Sequence, residues 1–140
     1  MQNPTIALGV ELMDEDHLRI ENMLATAGEA RDDELPRLFR AVAEELAAHF
    51  AREEELMRER QVPGLFCHVS QHNVVLAELR RHAEATDSAA LRRSLAVAVP
   101  QLIQSHIATM DRMAVAYING DIAQSDFDAL RLPVPGAAGA

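Results

Sequence analysis

Tryptophan is absent from this sequence, and aromatic residues make up only 4% of it. The chain therefore lacks the aromatic and β-branched enrichment that is typical of strands, whereas the abundant Ala, Leu, Arg and Glu favour helices. At 140 residues it fits one domain, which is large enough to bury a core without disulfides. We predict a single all-α domain over residues 1–140.

Cysteine occurs once, at Cys67, so no disulfide can form within the chain. Residues 1–10 lack the basic patch and long apolar run of a secretory signal. Charged residues interrupt every apolar stretch well before the roughly 20 residues that a membrane span requires. These absences predict a cytoplasmic protein without a membrane partner.

A basic stripe is also missing, because 13 basic and 22 acidic side chains give a net charge of −9 and are spread along the chain. Nucleic acid and anionic membranes are poor partners for such a surface. The acidity by itself indicates only a solvated surface and identifies no substrate.

Apolar residues at helical spacing predict four long helices, separated by loops that contain Gly, Pro and polar residues. The helices are expected at about residues 14–28, 33–60, 65–85 and 88–119. Short loops favour antiparallel neighbours, which predicts an up-down-up-down four-helix bundle over about residues 14–118. An extended arm would precede it at residues 1–12, and a short helix and a tail would follow within residues 119–140.

Three further features of these helices are expected from single residues. Asp14 would cap the first helix or orient His17, three residues later. Asp87 or Ser88 would open the fourth helix. Pro100 lies inside that helix and removes a backbone hydrogen bond, so a kink or local unwinding is expected there.

Each predicted helix carries at least one ionisable side chain in or beside its apolar stripe. These residues are His17, His49, Glu53, His68, His72, His106 and Asp111. Burying such groups costs several kcal/mol unless they are hydrogen-bonded, paired or bound to a metal. His49 and Glu53 lie four residues apart, as do His68 and His72, so each pair projects within about 40° on one helix face. Their convergence predicts a metal site.

His106 and Asp111 are five residues apart, which separates them by about 140° on a regular α-helix. Regular geometry therefore does not direct both side chains to one site. A π-type turn between them, or a cluster wide enough to be approached from two angles, would resolve this difficulty. Because π turns often occur at functional sites, a π turn between His106 and Asp111 is a hypothesis that a regular α-helix with Asp111 facing solvent would contradict.

A single histidine followed by HFAREE, HVSQH and HIATMD, in this order on four helices, resembles the hemerythrin family over roughly residues 8–118. The resemblance implies two non-haem iron ions that bind dioxygen reversibly. It implies that His68, His72 and His106 bind one iron, that His17 and His49 bind the other, and that Glu53, Asp111 and an oxo or hydroxo group bridge them. Dioxygen would bind at the iron with two histidines.

Apolar neighbours of these residues are expected to enclose the oxygen site. They are Leu46, Phe50, Ile103 and Ile107, and Ile103, one turn before His106, is expected nearest the open iron position. The chain departs from many bacterial hemerythrins, which carry Trp where Leu102 stands here.

Two other functions stay open alongside dioxygen storage, delivery or sensing. The same iron pair could act as an enzyme or scavenger on nitric oxide or peroxide. Zinc in a metal-stabilised interaction protein is the third alternative, because imidazole suits several metals. Five neutral imidazoles in place of anionic donors stabilise the ferrous pair, which favours reversible binding over turnover and predicts a protein that is not an enzyme.

Overall fold

The structure is a computed structural model that describes residues 9–130, with side chains described as far as Phe127. All its regular elements are helical, and residues 9–130 contain no strand. The predicted all-α class is therefore confirmed. Most of the predicted N-terminal arm and all of the predicted tail lie outside the described residues.

Five helices follow one another along this part of the chain. They are α1, Glu11–Gly28; α2, Leu35–Glu59; α3, Leu65–Ala83; α4, residues 88–118; and α5, Gln124–Leu130. A single 3-10 turn, Asp32–Glu34, leads into α2. The four predicted long helices are thus present, and α5 confirms the predicted short helix after them.

The start of α1 corrects one prediction. The helix begins at Glu11 with Val10 at its N-cap, so Asp14 lies inside the first turns and is not the cap. The Asp14 carboxylate instead accepts a hydrogen bond of 3.0 Å from the backbone N–H of Gly9. Asp87 does cap α4, because its side chain accepts a hydrogen bond from the N–H of Ala89.

Helix α4 is continuous but contains two π turns. Its segments are Ser88–Arg93, the π turn Ser94–Ala98, Val99–His106, the π turn Ile107–Asp111, and Arg112–Ile118. The first π turn lies directly before Pro100, and there the N–H of Val99 donates to the carbonyl of Ser94, five residues back. Because proline has no N–H to donate, the wider turn accommodates it within the helix. The predicted local unwinding at Pro100 is confirmed.

Two apolar clusters make up the core, and we call them the larger and the smaller cluster. The larger cluster consists of Ile20, Leu24, Ala27, Leu35, Phe39, Val42, Leu46, Phe50, Val75, Leu79, Leu91, Leu95 and Val99. The smaller cluster consists of Met57, Val62, Ala114 and Phe127. Along α2 and α4 the buried polar residues lie between the two clusters, so the candidate site is a polar layer within an apolar core.

The long helices enclose one interior. Helix α1 packs on α2, and α2 packs on α3. Helix α4 completes the arrangement, since its first π turn contacts α1 and its segment Val99–His106 contacts α3. Among the described residues, no helix has the length and apolar character needed to cross a membrane.

Candidate metal centre

The structure buries all seven of the predicted ligand residues in the interior. None of them is more than 6% exposed: His17, His49, Glu53, His68, His72, His106 and Asp111. They come from all four long helices. Groups of this kind are stable in an apolar interior only with compensating partners, so the contacts within the layer decide what it can do.

Two overlapping groups of side chains can each offer ligand atoms to one cation. The three-histidine group consists of His68, His72, His106, Glu53 and Asp111. The two-histidine group consists of His17, His49, Glu53 and Asp111. Within each group the ligand atoms lie within 4.8 Å of one another. The fold therefore brings all seven predicted residues together, and both groups share the two carboxylates.

In the three-histidine group, the Nε2 atoms converge on one oxygen of each carboxylate. His68 Nε2 lies 2.7 Å from Glu53 Oε1 and 3.0 Å from Asp111 Oδ1. His72 Nε2 lies 3.1 Å from Glu53 Oε1, and His106 Nε2 lies 2.9 Å from Asp111 Oδ1. The Nε2 atoms of His72 and His106 are only 3.0 Å apart. Three imidazoles and two carboxylates thus point at one small volume.

The approach of His106 to Asp111 depends on the second π turn of α4. Residues Ile107–Asp111 form that turn, and Asp111 is fully buried. A π turn takes up one extra residue, so side chains five apart lie nearly above one another instead of on different faces. The hypothesis of a π turn between His106 and Asp111 is confirmed.

The two-histidine group uses the other oxygen of each carboxylate. His17 Nε2 lies 3.2 Å from Asp111 Oδ2, and His49 Nε2 lies 3.1 Å from Glu53 Oε2. Even so, four buried atoms here have no hydrogen-bond partner among the described residues: both ring nitrogens of His17, Glu53 Oε2 and Asp111 Oδ2. Unsatisfied buried polar atoms are rare and costly. A cation bound among them would satisfy three of the four, namely His17 Nε2, Glu53 Oε2 and Asp111 Oδ2, so the residues fit a metal ion.

The electrostatics of the layer follow from its burial and its hydrogen bonds. Burial opposes ionisation of Glu53, but its close contacts with His106, His49 and the other imidazoles hold its pKa well below the usual 4.5. Burial also opposes protonation of His106, but hydrogen bonds to Asp111 and Glu53 raise its pKa to about 9. In the metal-free protein, protons on imidazoles therefore balance the carboxylates, and a metal ion would displace them.

Two carboxylates outside the predicted set accept hydrogen bonds from predicted ligand histidines, on the side of each ring that faces away from the candidate metal. His49 Nδ1 donates to Asp16 Oδ2 at 3.0 Å, and His72 Nδ1 donates to Glu54 Oε1 at 3.1 Å. Asp16 is only 2% exposed. Asp16 was not predicted from the sequence, although its position in the buried stripe of α1, between Met13 and Ile20, was a signal that could have identified it. Asp14 was proposed to orient His17 instead, and it makes no hydrogen bond to either ring nitrogen.

The predicted oxygen-pocket residues lie in or against the apolar core. Leu46 and Phe50 belong to the larger cluster, Ile103 packs against it, and Ile107 is buried. The ring of Phe50 stacks on His72 with centroids 3.8 Å apart, and it also lies 5.6 Å from His49. Phe50 thus contacts histidines of both groups. That these four residues surround an oxygen site stays a prediction.

The fold and the site together define a class: an all-helical protein with a buried candidate site for two neighbouring cations. Comparison with known proteins agrees with that class. A family model described as "Hemerythrin HHE cation binding domain" matches residues 8–118, so the chain belongs to the hemerythrin family.

One curated relative supports the same assignment. The "Bacteriohemerythrin" of Ralstonia nicotianae (strain ATCC BAA-1114 / GMI1000) is 31% identical over 114 residues, which cover 79% of this chain and 82% of that protein. No solved structure gives a significant match. The resemblance that the sequence motifs indicated is confirmed at the level of the family.

Proposed function

We propose that this protein binds dioxygen reversibly at a centre of two non-haem iron ions. One observation carries the proposal: Glu53 and Asp111 each direct one oxygen at the three-histidine group and the other oxygen at the two-histidine group. Carboxylates placed in this way would bridge two metal ions. The family and the name of the Ralstonia relative support iron as the metal.

Because the two groups contain different numbers of histidines, the two metal positions would differ in how completely the protein fills their coordination. His68, His72 and His106 would fill the coordination of one ion, whereas His17 and His49 would leave the other ion one nitrogen short. When bound, the iron pair supplies the electrons that dioxygen takes up and gives back. The two-histidine group would therefore be where the small ligand enters.

The surroundings favour binding without turnover. Leu46, Phe50, Ile103 and Ile107 would keep water away from the ligand position, since all four lie in or against the apolar interior. Excluding water and protons from a reduced site slows side reactions. The five imidazoles also carry less negative charge than carboxylates would, which stabilises the ferrous state.

The order of the apolar clusters and candidate ligands along each helix supports an up-down-up-down topology. Helices α2 and α4 each pass from the larger cluster through the candidate ligands to the smaller cluster, whereas α3 runs in the opposite sense. Helix α1 leads from His17 into the larger cluster. Alternating directions bring ligands at different distances from the helix ends to one level of the bundle. A cytoplasmic location stays a prediction.

The visible spectrum of the iron-loaded, reduced protein tests this proposal directly. We expect an absorption band to develop on exposure to air and to bleach when the gas is removed, over repeated cycles. Glu53→Gln, which removes a shared ligand, should show no such band. Steady consumption of nitric oxide or peroxide over many turnovers would favour the enzyme alternative. A colourless protein purified with bound zinc would contradict both iron-based functions.

A further inference from the structure

One histidine of the two-histidine group is anchored on the side that faces away from the candidate metal. Its Nε2 faces the carboxylates, lying 3.1 Å from Glu53 Oε2, while Nδ1 of the same ring, that of His49, donates to Asp16 Oδ2 at 3.0 Å. Both residues are buried, although they belong to different helices, α1 and α2. The contact therefore ties the ring to the neighbouring helix.

Arg52 also binds the carboxylate of Asp16. Its Nε donates to Asp16 Oδ2 at 2.9 Å, and its Nη2 donates to Asp16 Oδ1 at 3.0 Å, which makes the pair bidentate. Arg19 adds a third guanidinium contact, at 2.9 Å to Oδ1. Glu45 accepts from both arginines, at 3.0 and 3.1 Å. Planar, charge-assisted pairs of this kind fix geometry more firmly than single contacts do.

We infer that Asp16, held by Arg52, is a positioning residue that fixes the ring of His49 for metal binding. A carboxylate can only accept a hydrogen bond, so it requires the proton on Nδ1 and leaves Nε2 free to face the metal. A ring turned over would place a C–H against the buried carboxylate and lose that hydrogen bond. The inference rests on the proposed function, because His49 acts there as a ligand.

His17 shows that this anchor is particular to one of the two histidines. Neither nitrogen of its ring has a hydrogen-bond partner among the described residues. The ring of His49 is thus the fixed half of the two-histidine group. Removing Asp16 should loosen the metal position with two histidines and leave the three-histidine position unchanged.

Two readouts on Asp16→Ala test the inference. In the metal-free protein, NMR should show a slowly exchanging Nδ1 proton of His49 in the wild type, and the variant should lose it. In an anaerobic titration with Co²⁺, the wild type should bind two equivalents. The variant should hold one of them about 10–100-fold more weakly, the usual cost of removing an outer partner of a ligating histidine.

Matched variants separate positioning from general destabilisation. Asp16→Asn keeps the size of the side chain and one acceptor oxygen. It should therefore fold even if Asp16→Ala does not, and it should lose less metal affinity. Arg52→Gln should weaken the same equivalent. Arg58→Gln, which removes an exposed arginine of α2 paired with Glu55, should change neither readout.

Two results would overturn the inference: a His49 Nδ1 proton that exchanges as slowly in the Asp16 variants as in the wild type, or equal weakening of both Co²⁺ equivalents. Failure of the proposed function has a different signature. A wild type that binds fewer than two equivalents, or shows no reversible band with iron, would contradict that proposal, and the NMR readout on the metal-free protein would then decide on Asp16 alone.

Discussion

The three-histidine group and the two-histidine group share Glu53 and Asp111, but the carboxylate oxygens that face the two groups differ in their hydrogen-bond partners. On the first side, Glu53 Oε1 and Asp111 Oδ1 each contact two imidazole nitrogens. On the second side, Glu53 Oε2 and Asp111 Oδ2 have no hydrogen-bond partner among the described residues. The same two side chains thus have one satisfied and one unsatisfied oxygen each. The two-histidine side is where the site most needs a cation.

The groups differ again in what supports their histidines. On the three-histidine side, the ring of His72 is held by Glu54 at Nδ1 and by the stacked ring of Phe50. On the two-histidine side, His49 is held by Asp16, whereas His17 has no hydrogen-bond partner within residues 9–130. Each side thus has one histidine held by an outer carboxylate, and the two-histidine side also has one histidine without such support. The following predictions are ordered from the largest expected effect to the smallest.

Glu53→Gln should abolish metal binding at both positions. Glu53 is the shared carboxylate of α2, and a neutral amide with one donor face cannot bridge two cations, so both Co²⁺ equivalents should be lost in a titration. Glu54→Gln is the matched control on the neighbouring residue. It should weaken only one equivalent, by about 10–100-fold, because it removes an outer partner. Two intact equivalents in Glu53→Gln would contradict the bridging role.

Removing one histidine from each side should separate the two metal positions. His72→Ala should weaken the three-histidine position, whereas His17→Ala should leave that position intact. We expect both variants to retain one Co²⁺ equivalent, with different visible spectra because different ligand sets remain. Identical spectra for the two variants would mean that the groups are not distinct positions.

The stability of the metal-free protein should depend on pH in a direction set by these groups. The pKa of His106 is raised from 6.5 to about 9 in the folded protein. A raised pKa stabilises the fold fully below the unfolded pKa of 6.5, and this stabilisation is lost as the pH rises through the folded pKa. The pKa values of Glu53 and Asp111 are lowered from their usual 4.5 and 3.8. They stabilise the fold at pH above these usual values, and the stabilisation is lost as the pH falls through the lower folded pKa values.

Urea unfolding of metal-free protein at several pH values measures this effect. The free energy of unfolding should be highest between about pH 5 and 6.5 and should fall towards pH 9. Metal should reverse the trend on the alkaline side, because it replaces protons on the imidazoles and binds more tightly as they leave. A metal-free protein that becomes more stable from pH 6.5 to 9 would contradict the raised pKa of His106.

Ile103→Ala should produce the smallest of these changes. If Ile103 helps to exclude water from the two-histidine side, its truncation should speed autoxidation of the iron-loaded protein without changing metal stoichiometry. Leu102→Ala is a suitable control. Leu102 is the next residue along α4, but it lines a surface groove with His82 and Ala98 between α3 and α4. Equal autoxidation rates for wild type and Ile103→Ala would remove this residue from the proposed pocket.

Much of the fold and the site could be predicted because the necessary signals are local. Apolar spacing fixed the helices to within a few residues, and spacings of four placed His49 with Glu53 and His68 with His72 on single faces. The spacing of five between His106 and Asp111 suggested a π turn but left a wider cluster open, and only the structure distinguished the two. The start of α1 was missed, because Asp14 satisfies the N–H of Gly9 from within the helix.

The sequence by itself determined the helical class, the family and the identity of the seven candidate ligands, since helical periodicity and motif spacing are properties of consecutive residues. Only the tertiary structure decided which oxygen of each carboxylate faces which group, which oxygens stay unsatisfied, and that Asp16 and Arg52 support His49. Those contacts join residues up to 94 positions apart, as between His17 and Asp111. They depend on the packing of one helix against another, which no local spacing specifies.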